Sequence, residues 1–150
     1  MTITMKVEGL SEVKAALRQL PDATAKTVMR RVLRKRAEPV AEAARQLVPV
    51  DSGALKNSIV VSTKLTRRQK GRHRKVDRDD VEVFVGPGAD PAAHLQEFGS
   101  SQHPAQPFMR PAWDKTKDDL LAGVGADMWA EIEKAATRLA KKAAKAALKG

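Results

Sequence analysis

The chain has 150 residues, of which 42% are hydrophobic and 3% aromatic, and its formal net charge at pH 7 is +10. A chain of this size can bury one modest aliphatic core, so we expect a single domain spanning residues 1–150, with projecting arms. The sequence has no cysteine for disulfides or thiolate chemistry, no run long enough to cross a membrane and no signal-peptide pattern, so we expect a protein made in the cytoplasm.

The N-terminal third alternates between a strand pattern and helix patterns. Polar and apolar residues alternate over 3–7, which predicts a half-buried strand ending at Gly9. Apolar residues then recur at helical spacing over 10–20, and again after Asp22 over roughly 25 residues. Pro39 lies inside the second run and predicts a kinked or split helix, because proline removes a backbone donor and clashes with the preceding turn.

Two further strand patterns lie in the middle of the chain. Residues 59–65 and 81–85 alternate apolar with polar side chains, and we expect them to pair as a small antiparallel sheet. The segment 66–80 between them is longer than a hairpin needs and has no apolar pattern, which predicts an extended basic loop. Its cations lack interleaved aromatic residues, which indicates an arm that contacts a polyanion backbone and not one that reads bases. A solvated loop and a contact with DNA or an acidic partner are left as equal alternatives, and the contact would be made by Arg67, Arg68, Lys70, Arg72, Arg74 and Lys75.

A connector rich in proline and glycine leads to a long C-terminal helix. Gly99 is predicted to end a short helix in the left-handed conformation. Regular structure then resumes at or near the last of three prolines, Pro104, Pro107 and Pro111. We expect the core anchors of this connector to be Phe98, Phe108 and Trp113. The final segment, 135–150, is rich in alanine and lysine, and we expect it to be helical when docked on a partner and frayed when free.

Polar side chains in the connector are candidates for a metal site. His94 and Glu97 lie one turn apart on the short helix, and His103 follows. No second histidine–glutamate motif supports them, so we prefer an ordinary polar cluster that orders the connector. No nucleophile is paired with a base by its spacing either, and we expect no catalytic residue, no cofactor and no enzymatic activity.

Two motifs carry a resemblance to a known family. The first, V-P-V-D-S-G-A-L-K-N-S-I at 48–59, contains Pro49, Val50, Asp51, Gly53 and Leu55. The second, H-L-Q-E-F-G-S at 94–100 followed by P-A-Q-P-F-M-R-P-A at 104–112, contains His94, Glu97, Phe98, Gly99, Pro107, Phe108, Arg110 and Pro111. Together they resemble the tail-completion or tail-component family of long-tailed bacteriophages, whose members lie in the neck at the head–tail junction. His94 departs from the family pattern, in which many relatives carry tyrosine.

The resemblance implies an α+β fold, in which a small antiparallel sheet is packed by a long kinked helix and a long C-terminal helix. It also implies a structural virion protein that forms a ring of six subunits and connects the head and portal complex to the tail. Its neighbours would be head-closure or connector proteins, tail-terminator or tail-tube proteins, and channel DNA. Such a protein is located in the virion after assembly in the host cytoplasm.

The resemblance also gives structural roles to the motif residues. Asp51 and Gly53 would shape the turn between helix and strand. The short helix would be closed by Glu97, Phe98 and Gly99, and entry to the last helix would be locked by Phe108, Arg110 and Pro111. The alternative hypothesis is a small basic nucleic-acid-binding protein that uses the loop 64–78, and it predicts duplex binding that weakens steeply as salt rises.

Overall fold

A computed structural model describes residues 10–74, 77, 80–88 and 90–150 of the chain. In these ranges the fold is α+β, with six helices and two short strands. In chain order the elements are α1 (Leu10–Arg18), α2 (Asp22–Leu47), α3 (Ala54–Ser58), β1 (Val60–Ser62), α4 (Arg67–Lys70), β2 (Phe84–Gly86), α5 (Pro91–Phe98) and α6 (Met109–Lys149). The strand predicted near the N-terminus lies outside the described residues.

The scaffold is an antiparallel pair of long helices, α2 and α6. Near the start of α2, Val28 and Val32 pack with Met128 and Ile132 from the distal half of α6, whereas the end of α2 packs with the start of α6. The apolar spacing read from the sequence therefore predicted both helices. Pro39 lies inside α2 and is exposed, and the helix continues through it without splitting.

Two apolar clusters stabilise this helix pair at its opposite ends. The distal cluster joins α1, α2 and α6, and consists of Val13, Val28, Val32, Met128, Ile132 and Ala135. The junction cluster joins the end of α2 to β1, α5 and the start of α6, and consists of Ala41, Ala43, Ala44, Val48, Ile59, Ala93, Phe108 and Ala112. Burial of such aliphatic surface is the main favourable term in folding.

The predicted antiparallel sheet is confirmed, but its strands are shorter than the sequence pattern indicated. Val60 pairs with Gly86, Val61 with Val85 and Ser62 with Phe84. β1 ends because the Ser62 hydroxyl accepts a hydrogen bond from the Lys64 N–H and donates one to the Lys64 carbonyl, each at 3.0 Å. This local turn competes with the ladder and turns the chain away from its partner strand.

The predicted loop between the strands contains one short helical segment. Thr66 and Gln69 form a reciprocal capping box at the start of α4, where each side chain satisfies a backbone N–H of the other. The unpatterned-loop prediction missed this helix, because it is specified by capping side chains and not by apolar spacing.

None of the helices in the described ranges has the length and apolarity of a membrane span.

Candidate functional site

The two sequence motifs meet at the junction cluster. Val48 and Ile59 are the end residues of the first motif, and both are buried there with Phe108 from the second. Gly53 begins α3 with a φ of 81°, in the left-handed region that glycine adopts at low cost. Leu55 packs against the cluster from α3. The first motif thus forms the turn between α2 and β1.

Within the first motif, the other predicted residues are peripheral. Asp51 and Val50 are exposed, and Pro49 is partly buried. The hydroxyl of Ser52, next to Asp51, accepts the hydrogen bond from the Ala54 N–H at 3.3 Å. The motif forms a backbone turn. Its apolar end residues, Val48 and Ile59, pack in the core.

Glu97 is the centre of the second motif. It is 6% exposed, and among the polar and charged residues that the structure describes it is the one that is buried. Its Oε2 accepts hydrogen bonds from the N–H groups of Phe108 (2.8 Å) and Met109 (3.0 Å). Its Oε1 accepts from the N–H of Arg110 at 3.1 Å and from Arg110 Nε at 3.0 Å. One carboxylate therefore satisfies the N-terminal donors of α6.

This arrangement accounts for all the free donors at the start of α6. The first N–H groups of a helix have no partner within it. At α6 these belong to Phe108, Met109 and Arg110, while Pro111 has no N–H to satisfy. The next N–H, that of Ala112, donates to the Phe108 carbonyl at 3.2 Å. Glu97 therefore caps a helix that begins twelve residues further along the chain, a role that the prediction of a residue closing α5 missed.

The same hydrogen-bond donors keep the Glu97 carboxyl ionised. Burial alone pushes the pKa of this carboxyl upward, since the charged form loses hydration. The hydrogen bonds from the three backbone N–H groups and the Arg110 guanidinium outweigh burial, and the pKa is lowered from its ordinary value of 4.5. The negative charge also lies at the positive end of the α6 dipole. The carboxylate is thus ionised and fully engaged in structure.

Gly99 sets the direction in which the connector leaves α5. Its φ is 73° and its ψ is −177°, a region of backbone space that is essentially restricted to glycine. α5 ends at Gly99 as predicted, but the prediction of a left-handed helical conformation was wrong, because ψ is extended. A Cβ at this position would lie 2.7 Å from the Ala105 nitrogen and 2.9 Å from the His103 carbonyl oxygen. The chain therefore passes close against Gly99.

The connector itself is held by backbone hydrogen bonds. The Gln106 N–H donates to the Gln96 carbonyl at 2.7 Å, and the Ser100 N–H donates to the His103 carbonyl at 2.8 Å. The Ser100 hydroxyl in turn accepts the His103 N–H at 3.1 Å. Pro107, one residue before Phe108, is exposed. This folded bend brings the start of α6 to Glu97.

Only one of the three predicted aromatic anchors is in the core. Phe108 is 0% exposed, as predicted, whereas Phe98 is 58% and Trp113 41% exposed. The prediction for the latter two was wrong because aromatic type does not specify a face. The Phe98 ring lies under the Arg110 guanidinium, 4.9 Å from its centre, and Trp113 lines an open apolar groove of about 660 Å³ between α2 and α6.

The candidate metal ligands do not form a site in the described residues. Groups of three or more His, Asp or Glu side chains with metal-binding geometry are absent from these ranges. His94 and His103 are exposed, and the His94 ring contacts Phe98 with ring centres 5.0 Å apart. Because Glu97 uses its oxygens on backbone donors, the ordered polar cluster is the better description of these residues.

The basic segment contacts later residues through Gln69 and His73, and its described cations are exposed. Gln69 Nε2 donates to the Gly88 carbonyl at 2.8 Å, and the His73 ring pairs with Glu82 at 2.8 Å. The cations that the structure describes in this arm, here called the basic arm, are exposed: Arg67, Arg68, Lys70, Arg72 and Arg74. The sixth predicted contact, Lys75, lies outside the described residues.

Ion pairs between α2 and α6 were not predicted from the sequence. Arg31 pairs with Glu131 at 2.8 Å, and Arg36 Nε donates to Asp127 at 2.6 Å. The Arg36 guanidinium lowers the pKa of Asp127 through this hydrogen bond. A Cβ on Gly123 would overlap the Arg36 guanidinium, so the glycine gives that side chain its path across the helix pair. Partners about a hundred residues apart carry no periodic signal, and only the antiparallel packing reveals them.

The chain matches one protein family, and the match covers more than half of its residues. Residues 11–99 match the family described as "Bacteriophage HK97-gp10, putative tail-component". No curated protein and no solved structure was found to match. The matched segment contains the whole first motif and the second as far as Gly99, which are the parts of the chain that build the junction from α2 to α5. The chain therefore belongs to the HK97-gp10 family of bacteriophage tail components.

Proposed function

We propose that this structural phage protein forms a ring of six subunits in the neck of the virion, where it joins the head and portal complex to the tail. The observation that carries the proposal is the use of both family motifs in a buried structural junction. Glu97 fixes the start of α6, and the first motif fixes the turn after α2. A rigid junction with two long helices suits a subunit that transmits a fixed geometry to its neighbours.

The distribution of exposed apolar side chains supports assembly. Of the large hydrophobic residues that are exposed, five lie on segments enclosing the junction cluster: Leu47, Val50, Val60, Leu95 and Phe98. We propose that these side chains contribute to one subunit interface, because contiguous exposed apolar surface marks protein–protein contacts. In a ring, each subunit buries one such surface against a different surface of the next, and the contacts close when the rotation per subunit allows.

The variant Leu95→Ser/Phe98→Ser tests this surface. Both side chains are more than half exposed, at 51% and 58%, so the fold and the helix content should be retained. We expect the wild-type protein to form six-subunit rings by native mass spectrometry and electron microscopy, and the double variant to remain a monomer that is not incorporated into particles. Leu148→Ser, which changes another exposed leucine on the C-terminal helix, is the matched control and should assemble normally.

A wild-type protein that stays monomeric in the presence of its virion neighbours, and is missing from purified particles, would contradict the proposed function. Assembly that is equally strong in the double variant would instead place the subunit interface elsewhere. The two results are distinguishable because the first concerns the wild-type chain and the second only the variant.

Within the ring, the basic arm is proposed to face channel DNA or the acidic surface of an adjoining ring. Its five described cations are exposed, while Gln69 and His73 hold its base to the body of the protein. The same observation favours the second candidate function, a free nucleic-acid-binding protein. The two differ in one respect: a free DNA-binding protein would lose its function on charge reversal of Arg67, Arg68, Arg72 and Arg74 while particles still assemble.

A further inference from the structure

The C-terminal end of α6 presents a stripe of positive charge on one face. After Glu133 the sequence contains six Lys and Arg residues and no Asp or Glu. α6 is continuous to Lys149, so the helical repeat fixes where these side chains project. At 3.6 residues per turn, the six fall within an arc of about 100° that extends over roughly 22 Å. They are Lys134, Arg138, Lys141, Lys142, Lys145 and Lys149.

The sign of this stripe changes where α6 passes the end of α2. Asp127 and Glu131 lie on the same face of α6, and there they pair with Arg36 and Arg31 of α2. Leu139 is the last residue of α6 that is partly buried, and residues 140–150 are all exposed. The acidic part of the stripe is thus paired with α2, and Lys134 itself pairs with Glu131 at 3.4 Å. The part of the stripe from Lys141 onward lies in the exposed end of the helix.

We infer that this basic stripe binds the phosphate backbone of a duplex nucleic acid. The rest of the exposed helix is almost entirely alanine and offers few of the large anchoring side chains on which protein interfaces depend. A duplex presents about one negative charge per 1.7 Å of its axis, so each cation of the stripe has a phosphate within reach. The inferred contacts are to phosphates, which carry no sequence information, so we expect the binding to be independent of sequence.

The stripe is separate from the basic arm, which lies between β1 and β2, and the inference does not depend on the virion assignment. It differs from simple attraction by net charge, because it requires the cations to share a face. A variant can therefore remove the stripe without changing the charge, the amino-acid composition or the helix propensity of the tail.

The test variant exchanges three lysines of the stripe with three exposed alanines of the opposite face. It combines Lys141→Ala, Lys145→Ala and Lys149→Ala with Ala140→Lys, Ala143→Lys and Ala147→Lys. The full-length wild-type and exchanged proteins are titrated against a fluorescent 25-base-pair duplex by anisotropy over a range of salt concentrations. Both are also tested in a background in which Arg67, Arg68, Arg72 and Arg74 are replaced by Gln, to remove the contribution of the basic arm. Circular dichroism checks that helix content is unchanged.

We expect the exchange to lower duplex affinity by roughly a factor of ten or more and to make the slope of log K against log salt shallower by about 3, one unit per lost phosphate contact. Equal affinity and slope in the two proteins would overturn the inference, since charge alone would then suffice. It would also be overturned if the wild-type protein bound an acidic peptide, such as oligoglutamate, more tightly than the duplex at the same salt concentration.

Discussion

Replacing Gly99 by alanine is expected to destabilise the protein by about 4 kcal/mol, the sum of a backbone conformation that only glycine adopts readily and a steric overlap. With φ at 73° and ψ at −177°, the position disfavours any side chain. The overlap is with backbone atoms of Ala105 and His103, which cannot move aside as the end of a flexible side chain can. For a chain of this length the melting temperature should fall by about 10 °C.

The matched control for this variant is Gly125→Ala. Gly125 lies within α6, and an added Cβ would meet no atom within 4 Å. The same substitution should therefore raise stability there by about 1 kcal/mol, because alanine favours the helix. Thermal and denaturant unfolding followed by circular dichroism measure both effects. A Gly99→Ala protein as stable as wild type would show that the connector does not pass against Gly99.

Replacing Glu97 by alanine is the second large change, with an expected loss of about 3 kcal/mol, because backbone donors at the start of α6 would be left without acceptors. The contribution of the Arg110 ion pair itself is small, since that guanidinium is 60% exposed and can return to water. The loss therefore comes mainly from the N–H groups of Phe108, Met109 and Arg110. Glu133→Ala, which removes an exposed carboxylate of α6, is the control and should be close to neutral.

The pH dependence of stability gives an independent check on Glu97. Its pKa in the folded protein is below the ordinary value of 4.5. A carboxyl with a lowered pKa stabilises the fold fully above its unfolded pKa, and this contribution is lost as the pH falls through the folded pKa. Glu97→Gln should therefore be less stable than wild type at pH 7, and the difference should shrink below pH 4.5. A constant difference between pH 7 and pH 3 would argue against the buried carboxylate.

The main helices and the sheet could be predicted because their signals are local. Apolar residues at helical spacing determine α1 and α2, alternation determines the pairing of β1 with β2, and Gly99 ends α5. The positions that were missed depend on tertiary contacts. The reach of Glu97 to α6, the exposure of Phe98 and Trp113, and the pairing of Arg36 with Asp127 follow from how distant segments pack, and no period in the sequence records that.

The sequence identified the residues of the candidate site, but it did not predict which contacts they make. In the structure Gly53 precedes α3, Leu55 packs against the junction cluster, Gly99 ends α5 and Phe108 is buried. The reach of Glu97 to α6 was not predicted, because a carboxylate gives no indication of its distant partners. The positions of the basic side chains in the arm and in the tail followed from the sequence alone.

The capping of α6 by Glu97 has a consequence for the extent of the family segment, which ends at Gly99. Every hydrogen-bond donor to the Glu97 carboxylate comes from residues 108–110. A fragment cut at residue 99 would keep an ionised group designed for burial and lose the Phe108, Met128 and Ile132 side chains that complete both clusters. We therefore expect a fragment ending at residue 99 to be unstable on its own, because residues 108–149 supply part of both clusters and the donors to Glu97.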